Sequence, residues 1–443
     1  MLKTFPTGGV HPSENKLSAG KKIEVLPTPA MVIIPVSQHI GTPSKVVVNK
    51  GDKVKTGQII AGSGGFVSTN IHSSVSGTVL KIDSFPDSSG YRRMAVQIQV
   101  EGDEWIDGID HSPELKKEIT LSSEEIIKKI NAGGLAGMGG ATFPSHVKLS
   151  VPQGKKAEYL IVNGVECEPY LTCDHALMME KGEEIITGTR IMMKALQVQK
   201  AIIGIENNKP DAIAHMTRLA SEEEGITIQP LKVKYPQGGE KQLIASLLRR
   251  EVPSGGLPID IGVVAFNVGT VFAAYQAVQK NIPLIERVVT VTGESLKTPS
   301  NFRVRIGTPV QALIDAAGGL PGDTGKVVNG GPMMGKALNN LDVPVVKGTS
   351  GILIIPATIS RRKEVYSCIR CAKCIGVCPM GLEPYLLMSL AEKAMYERSE
   401  LEKIMDCMEC GSCSYTCPSN RPLLDFIRLG KARVGQLMRA RKN

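Results

Sequence analysis

The chain has 443 residues, of which 42% are hydrophobic and 21% are charged, and it carries a formal net charge of +9. This length predicts about three domains, and the composition excludes a largely disordered chain. The positive charge does not indicate nucleic acid as a partner, because no interleaving of aromatic and basic residues accompanies it.

The N-terminal sequence, MLKTFPTGGVHPSENK, lacks the apolar core of a signal peptide. The sequence also contains no run of about 18 apolar residues, the length that spans a bilayer. We therefore expect the protein to stay in the cytoplasm. Eight of the ten cysteines lie between residues 368 and 417. In a reducing compartment, such a group favours metal ligation over a disulfide framework.

Short apolar runs separated by turns, from Ile33 to Ile82, predict a series of short strands. Their sequence resembles the barrel-sandwich hybrid of lipoyl and biotinyl carrier domains. The lysine that those carriers acylate is missing, because the segment between Gly57 and His72 contains none. The resemblance therefore implies a docking or structural module.

Helix-like and strand-like segments alternate from about Leu121 to Val288, which predicts an α/β layer architecture. From Arg287, the order of strand, turn, strand and short helix resembles the soluble-ligand-binding β-grasp (SLBB) module. After Gly351 we expect a helical, cysteine-rich region. The expected domains are residues 1–112, 113–286, 287–350 and 351–443.

Two cysteine runs with identical spacing lie in the last of these regions. Both read Cys-x2-Cys-x2-Cys-x3-Cys-Pro, a spacing that wraps three ligands around a four-iron, four-sulfur cubane. In two-cluster ferredoxins the fourth cysteine of each run binds the other cluster. The first cluster is therefore assigned Cys368, Cys371, Cys374 and Cys417, and the second Cys407, Cys410, Cys413 and Cys378. Zinc is the alternative, but its sites use two Cys-x-x-Cys pairs and need no third and fourth cysteine in each run.

The segment between the two runs, from Leu382 to Ile404, carries leucine, methionine and alanine at helical spacing. This predicts a helical insertion and favours a helical ferredoxin over the compact bacterial type, in which strands join the runs. Gly376, Gly411 and Ser412 are expected to leave backbone amides free to donate to the sulfurs. The basic tail, RLGKARVGQLMRARKN, is either a solvated helix end or a contact for an acidic partner or an anionic membrane surface.

A glycine-rich stretch, GGLAGMGGATFPSHVK, occupies residues 133–148 and ends on Lys148. Glycines let backbone N–H groups approach a phosphate, and a lysine supplies positive charge. A flexible connector is the alternative. Asn163, Glu166 and Glu168 stand at the end of an apolar strand-like run, where side chains face a cleft. Further candidates along the chain are Tyr235, Gly239 and Glu240, and Asn267 and Thr270.

Together these motifs resemble the C subunits of Rnf complexes, which are membrane-bound ferredoxin:NAD oxidoreductases. The resemblance rests on FPTGGVHPSENK, the glycine-rich stretch, NGVECEPYLTCDH, NGGPMMG at residues 329–335, and both cysteine runs. The central region is also similar to the flavoprotein NADH-dehydrogenase subunit of respiratory complex I. The implied fold is multi-domain α/β: a barrel-sandwich hybrid, a Rossmann-like FMN/NADH-binding domain, an SLBB β-grasp module and a helical ferredoxin domain.

The similarity to the complex I flavoprotein also implies residue roles. The flavin phosphate and ribityl chain would be held by Gly137, Gly139, Gly140 and Lys148. Asn163 and Glu166 would lie beside the isoalloxazine, while Phe143 and Glu168 would face the nicotinamide nucleotide. The remaining cofactor-site positions would be Tyr235, Gly239, Glu240, Asn267 and Thr270.

Four positions depart from the complex I pattern. Arginines are replaced by Ala136 and Met138, and acidic residues by Val165 and Lys241. Separately, Cys167, Cys173 and His175 form a loose group that either binds a metal or, as we favour, contains a pair of buried thiols.

The resemblance implies a flavin relay, in which NADH and FMN exchange a hydride and two [4Fe-4S] clusters carry single electrons to or from an iron–sulfur B subunit. Separate membrane subunits would couple this to Na+ or H+ translocation, with the chain peripheral at the cytoplasmic face of the membrane. No general acid or base is expected. The alternatives are a cobalamin reductase-type subunit, which the domain order disfavours, and a flavin-free electron-wire subunit.

Overall fold

The computed structural model describes residues 2–441, which form four β-sheets. Within that range, the helices are all too short or too polar to cross a bilayer.

The N-terminal region is built from short strands, as predicted. Alternation in the second strand buries Val32 and Ile34 in an apolar core that two small sheets enclose, with the orders β2-β8-β7-β4 and β3-β5-β6. The strands are β1 (Ile23–Val25), β2 (Met31–Pro35), β3 (Lys45–Val46), β4 (Lys53–Val54), β5 (Ile59–Gly62), β6 (Ile71–His72), β7 (Gly77–Pro86) and β8 (Arg92–Val100).

The central region alternates strands and helices. In chain order these are α1 (Ser123–Ala132), α2 (Ser145–Leu149), β9 (Tyr159–Asn163), α3 (Cys173–Glu180), α4 (Gly182–Leu196), β10 (Ala201–Glu206), α5 (Pro210–Ala220), β11 (Ile226–Leu231), α6 (Glu240–Leu248), β12 (Val263–Asn267) and α7 (Val268–Gln279), with a 3-10 turn at Pro258–Ile261.

Helices cover both faces of the central sheet, whose four parallel strands have the order β11-β10-β9-β12. Leu160 and Val162 of β9 join the core shared with α4 and α7, whereas Ile161 between them joins the core shared with α6. At the carboxyl edge, Asn163 of β9 and Asn267 of β12 are register partners. The predicted α/β layers are confirmed, and two predicted site residues stand together at the edge where such sheets bind ligands.

The third region contains β13 (Glu286–Thr292), β14 (Ser300–Arg305), α8 (Val310–Ala316), β15 (Thr324–Asn329), β16 (Lys336–Ala337) and β17 (Gly351–Pro356). Its six-stranded sheet has the order β1-β14-β13-β17-β15-β16.

The six-stranded sheet crosses the domain limits expected from sequence in two places. β1 lies inside the expected residues 1–112 but pairs with β14, and β17 lies inside the expected residues 351–443 but pairs with β13 and β15. The apolar run of β17 is almost entirely buried, so it forms a central strand and not the start of a helical domain. A local pattern does not reveal which distant strand it will pair with.

The C-terminal region is helical. Its helices are α9 (Ala357–Ser360), α10 (Lys373–Gly376), α11 (Pro384–Glu392), α12 (Tyr396–Leu401), α13 (Ser412–Thr416) and α14 (Leu423–Ala440), with a 3-10 turn at Ile404–Asp406. The predicted helical insertion is present as α11 and α12, which are separated at Ala394, a residue with positive φ. Their core consists of Leu387, Ile404, Ile427 and Val434. The basic tail lies mostly within α14, and its last two residues are outside the described range.

Candidate functional site

The glycine-rich loop lies across the carboxyl end of the central sheet. Within the loop, the Gly137 N–H donates to the Phe143 carbonyl at 2.8 Å. The Met138 N–H donates to Oγ1 of Thr270, in the first turn of α7, at 2.9 Å. A Cβ on Gly139 would lie 3.3 Å from the Asn267 side chain, so glycine permits this close approach. Gly140, with φ of +99°, borders open space. Backbone amides, a helix N-terminus and accessible space therefore meet here, which fits an anionic group.

Lys148 and Glu240 also come together. The Lys148 ammonium donates to Glu240 at 2.5 Å and to the Ala265 carbonyl at 3.1 Å. The lysine side chain is 29% exposed. The cation is thus fixed near the end of β12 while still reaching solvent, as a lysine that receives a phosphate requires.

Asn163 and Asn267 orient the loops around the crevice. Asn163 donates to the Gly238 carbonyl at 2.8 Å, which holds the loop before α6 against β9. Asn267 accepts the Gly269 N–H at 2.8 Å and so caps α7, and it donates to Asp174 at 2.7 Å. Both amides therefore fix backbone segments of the predicted flavin site.

Glu166 has a structural contact that the sequence did not predict. Its carboxylate accepts the N–H groups of Asp174 at 2.7 Å and His175 at 3.2 Å, so it caps the N-terminus of α3. Burial, together with the nearby Glu166 charge, raises the pKa of Asp174 to about 7. Glu166 therefore shapes the loop beneath the crevice through its carboxylate.

The loose metal-binding group considered from the sequence does not assemble. Cys167 accepts the Gly238 N–H through Sγ at 3.3 Å, and His175 contacts Asp211 at 2.9 Å. Cys173 instead lies with Glu166 and Asp174. Cys173 is buried and Cys167 is partly buried. Burial raises the pKa of both thiols, which favours their neutral form.

Glu168, which was predicted to face the nicotinamide nucleotide, contacts a loop of the β-grasp region. Its carboxylate accepts the N–H groups of Met333 at 3.1 Å and Met334 at 2.8 Å, in the NGGPMMG loop of the β-grasp region. Burial raises its pKa to about 7. The Tyr235 hydroxyl lies 3.3 Å from this carboxylate and donates to the Cys410 carbonyl at 2.8 Å. Glu168 and Tyr235 thus join three regions of the chain.

Gly239 marks another contact between the flavin-type domain and the cysteine-rich region. It precedes α6, and a Cβ there would lie 2.3 Å from the Met408 methyl group. Phe143 is half-buried and closes the glycine-rich loop through its carbonyl. A separate cavity of about 470 Å³ lies behind the loop, where Met138, Gly269 and Asp174 form part of its wall.

Four cysteines from both runs line one small cavity, which we call the inner site: Cys378, Cys407, Cys410 and Cys413. Burial raises the pKa of Cys407 to about 11 and that of Cys413 to about 12. The N–H groups of Leu382 and Glu409 donate to sulfurs of this site at 3.4 Å. This four-thiol set, in apolar surroundings with amide donors, fits a cubane cluster.

The other predicted set, which we call the outer site, consists of Cys368, Cys371, Cys374 and Cys417. Cys374 and Cys417 pack against the same apolar group as Cys413, and Cys368 and Cys371 are exposed. Cys378 therefore lies with three cysteines of the second run, as the spacing predicted, and Cys417 lies near Cys374. The complete ligand sets stay a prediction.

Comparison with known proteins adds four family matches along the chain. Residues 3–103 match the RnfC barrel-sandwich hybrid domain, and residues 130–276 match the Nuo51 FMN-binding domain. Residues 288–337 match the SLBB domain, and residues 361–418 match the 4Fe-4S dicluster domain.

Two curated relatives cover nearly the whole chain. The C subunit of the proton-translocating ferredoxin:NAD(+) oxidoreductase complex of Clostridium ljungdahlii is 48% identical over 98% of this chain and 94% of its own length. Its counterpart in the Na(+)-translocating ferredoxin:NAD(+) oxidoreductase complex of Acetobacterium woodii is 43% identical over 96% of both. The chain belongs to the RnfC family.

Solved structures show the same fold at low identity. An NAD+-reducing [NiFe]-hydrogenase in its air-oxidised state has a TM-score of 0.51 and 17% identity, covering 71% of this chain and 66% of that chain. The same type of enzyme in its H2-reduced state has a TM-score of 0.50 and 19% identity, covering 75% and 67%. At this identity the likeness concerns architecture alone.

These matches confirm the predicted family, the four-part fold and the class of oxidoreductase subunit. They also confirm the predicted cofactors, FMN, NAD(H) and two [4Fe-4S] clusters, at the level of the RnfC family. The dicluster match favours iron over zinc, and the FMN-binding match argues against a flavin-free wire.

Sequence reasoning missed a group of residues near the N-terminus. Gly8, Gly9 and Lys16 contact the inner site and the loop that carries Glu166 and Glu168. The sequence feature that could have indicated them is the pair of glycines and the lysine of FPTGGVHPSENK. That segment was used only as support for the family resemblance.

Proposed function

We propose that this chain is the NAD(H)-reacting subunit of an ion-translocating ferredoxin:NAD+ oxidoreductase complex. The observation that carries the proposal is that the flavin-type crevice and the inner site are in direct contact. Tyr235, which precedes the Gly238–Gly239 loop, donates directly to the carbonyl of Cys410. A two-electron site and a one-electron site in direct contact are what such a reaction requires.

Within the crevice, backbone amides and a cation would bind the flavin phosphate. We assign this to Gly137, Gly139 and Gly140 with Lys148, assisted by the N-terminal turn of α7 at Asn267 and Thr270. When bound, FMN supplies hydride exchange with NADH, and the clusters supply single-electron transfer. Glu240 holds Lys148 in place, and Gly239 lets the loop approach the cysteine-rich region.

The remaining assigned residues act on the walls of the crevice. Asn163 fixes the loop before α6, Glu166 caps α3, and Phe143 closes the glycine-rich loop. Glu168 and Tyr235 hold the crevice against the β-grasp and cysteine-rich regions. The chain would then comprise four domains, with β1 and β17 belonging to the β-grasp domain because they pair with its strands.

We assign the outer site to exchange with a partner iron–sulfur subunit, the B subunit. Two of its ligands are exposed, and the residues around them are both apolar and basic. Exposed apolar side chains are Tyr366, Ile369 and Tyr415. The exposed cations Arg361, Lys363, Arg370 and Lys373 have no acidic partner in the described part of the chain. We call these seven residues the outer patch. Its charge suits an acidic electron carrier.

The partner membrane subunits would carry out ion translocation, and this chain would then lie at the cytoplasmic face. The deciding experiment is anaerobic purification followed by iron, sulfide and flavin analysis and an NADH titration. We expect about eight iron atoms and one FMN per chain, with NADH bleaching both chromophores. A colourless chain, a zinc-containing chain, or one whose flavin and iron–sulfur absorption NADH leaves unchanged would contradict the proposal.

A further inference from the structure

The N-terminal segment from Lys3 to Lys16, which we call the strap, has almost no secondary structure of its own. It begins at the edge of the central sheet, where the Lys232 N–H donates to the Lys3 carbonyl at 2.9 Å. Phe5 is buried, and the Lys234 ammonium lies 4.1 Å from the centroid of its ring. Because ordering an irregular segment costs conformational entropy, the strap must be held in place by these contacts.

The middle of the strap pairs with the tyrosine that contacts the inner site. Val10 and Tyr235 exchange two backbone hydrogen bonds, each 2.9 Å long. Val10, Tyr235 and Cys410 are buried in one apolar group. The strap therefore covers the junction between the flavin crevice and the inner site, which the proposed function requires to be close together.

Two glycines of the strap touch the inner site itself. The Gly9 N–H donates to the Val377 carbonyl at 2.9 Å. Gly8 has φ of +69°, and a Cβ there would lie 2.5 Å from the carbonyl carbon of Cys378. Because that neighbour is backbone, an added methyl group would displace the strap or the ligand.

The end of the strap binds the loop beneath the crevice. The Lys16 ammonium donates to the carbonyls of Glu166, Glu168 and Leu171 at 2.9, 2.9 and 2.7 Å. All three of its N–H groups are thus used on one loop. The strap consequently contacts the inner site at one end of the junction and the crevice loop at the other.

We propose that the strap fixes the inner site against the flavin crevice, with Gly8 and Lys16 as positioning residues for electron exchange between the two. This inference rests on the proposed function, because it concerns the route within the same chain. The strap adds to the direct contacts between the two regions, which include Tyr235 with the Cys410 carbonyl at 2.8 Å and Gln242 with the Pro379 carbonyl at 3.3 Å. Small displacements of reacting groups have large effects on rate.

The test compares Gly8→Ala with Gly20→Ala in the anaerobically purified full chain. Gly20 has a similar φ of +74°, but a Cβ there meets no atom within 4 Å. The backbone cost is therefore matched, and only Gly8→Ala collides with the ligand backbone. We expect amide hydrogen exchange in residues 5–12 to accelerate by at least about tenfold in Gly8→Ala and to stay unchanged in Gly20→Ala.

Stopped-flow spectroscopy gives the second readout. We expect NADH to reduce the flavin of Gly8→Ala at the wild-type rate, while reduction of the clusters slows by about tenfold or more. Lys16→Met, whose lost hydrogen bonds are to the 166–171 loop and not to the cysteines of the two runs, should slow cluster reduction in the same way with full iron content. Lys16→Met decides the question if Gly8→Ala loses its iron.

Equal rates of cluster reduction in Lys16→Met, Gly8→Ala and wild type would overturn the proposal, as would equal exchange in Gly8→Ala and Gly20→Ala. Failure of the proposed function looks different, because wild type itself would then lack flavin or would not respond to NADH. Hydrogen exchange would still report on whether the strap depends on its contact at Gly8.

Discussion

The inner and outer sites have the same cysteine spacing but contrasting surroundings. At the inner site Cys378, Cys410 and Cys413 are each no more than 8% exposed. At the outer site, Cys368 and Cys371 lie in a stretch from residue 361 to residue 373 that is exposed throughout. The spacing fixes how a chain wraps a cubane, whereas the surroundings fix what the cubane can exchange electrons with.

Those surroundings come from distant parts of the sequence. The inner site is covered by the strap, by Tyr235 and by Met333 of the β-grasp region. The outer site is covered by nothing comparable in residues 2–441, and the outer patch adds unpaired positive charge beside it. This contrast indicates an internal route at one site and an external route at the other.

The strongest test of this contrast removes one ligand from each site. Cys410→Ala should lose the inner cluster and lower the midpoint of thermal unfolding by about 5–10 °C, because metal-binding free energy at a buried site is also folding free energy. Cys368→Ala should lose the outer cluster with a change of about 2 °C or less. Iron analysis and anaerobic differential scanning calorimetry check both. Equal shifts in the two variants would remove the distinction between the sites.

Chelation should separate the sites in time. With the holoprotein under argon, we expect a ferrous chelator to remove about half of the iron at least about tenfold faster than the rest, because access at the outer site needs no local unfolding. Mass spectrometry after treatment with a thiol-modifying reagent assigns the fast phase. If that phase is the outer site, Cys371 becomes modified before Cys413. A single phase for all the iron would be inconsistent with an enclosed inner site.

Tyr235→Phe tests the contact between crevice and inner site. Removing the hydroxyl leaves the buried Cys410 carbonyl without its donor, which should cost about 1–3 kcal/mol of unfolding free energy. The midpoint potential of the inner cluster should also shift. Tyr366→Phe is the matched control, since its hydroxyl contacts Glu364 at the surface, and it should cost less than about 0.5 kcal/mol. Equal costs would show that the Tyr235 contact contributes little.

Sequence alone predicted most of the modules. Identical cysteine spacing predicted the grouping of Cys378 with three cysteines of the second run, because ligand geometry is local. Glycine spacing likewise predicted the loop that lies beside Thr270 and Asn267. These features depend on short segments, for which a pattern carries the physical constraint.

Contacts between distant segments were not predictable in the same way. The Glu168 carboxylate accepts the N–H groups of Met333 and Met334, which lie 165 and 166 positions further along the chain, and no motif predicted that contact. Gly9 meets Val377, and β17 joins the β-grasp sheet. Each outcome is decided by how domains pack, and neither hydrophobic periodicity nor a motif reports that packing.

The smallest effect is expected in the outer patch. Arg370→Ala should slow electron exchange with an acidic ferredoxin by about threefold at low ionic strength, because exposed charges steer encounter and are screened by salt. Lys50→Ala, at an exposed cation in the N-terminal barrel, is the control and should leave the rate unchanged. The effect of Arg370→Ala should disappear near 0.5 M salt, where the screening length is only about 4 Å. A salt-independent change, or the same change in Lys50→Ala, would mean that the patch does not guide a carrier to the outer site, and stopped-flow measurement across a salt series distinguishes these results.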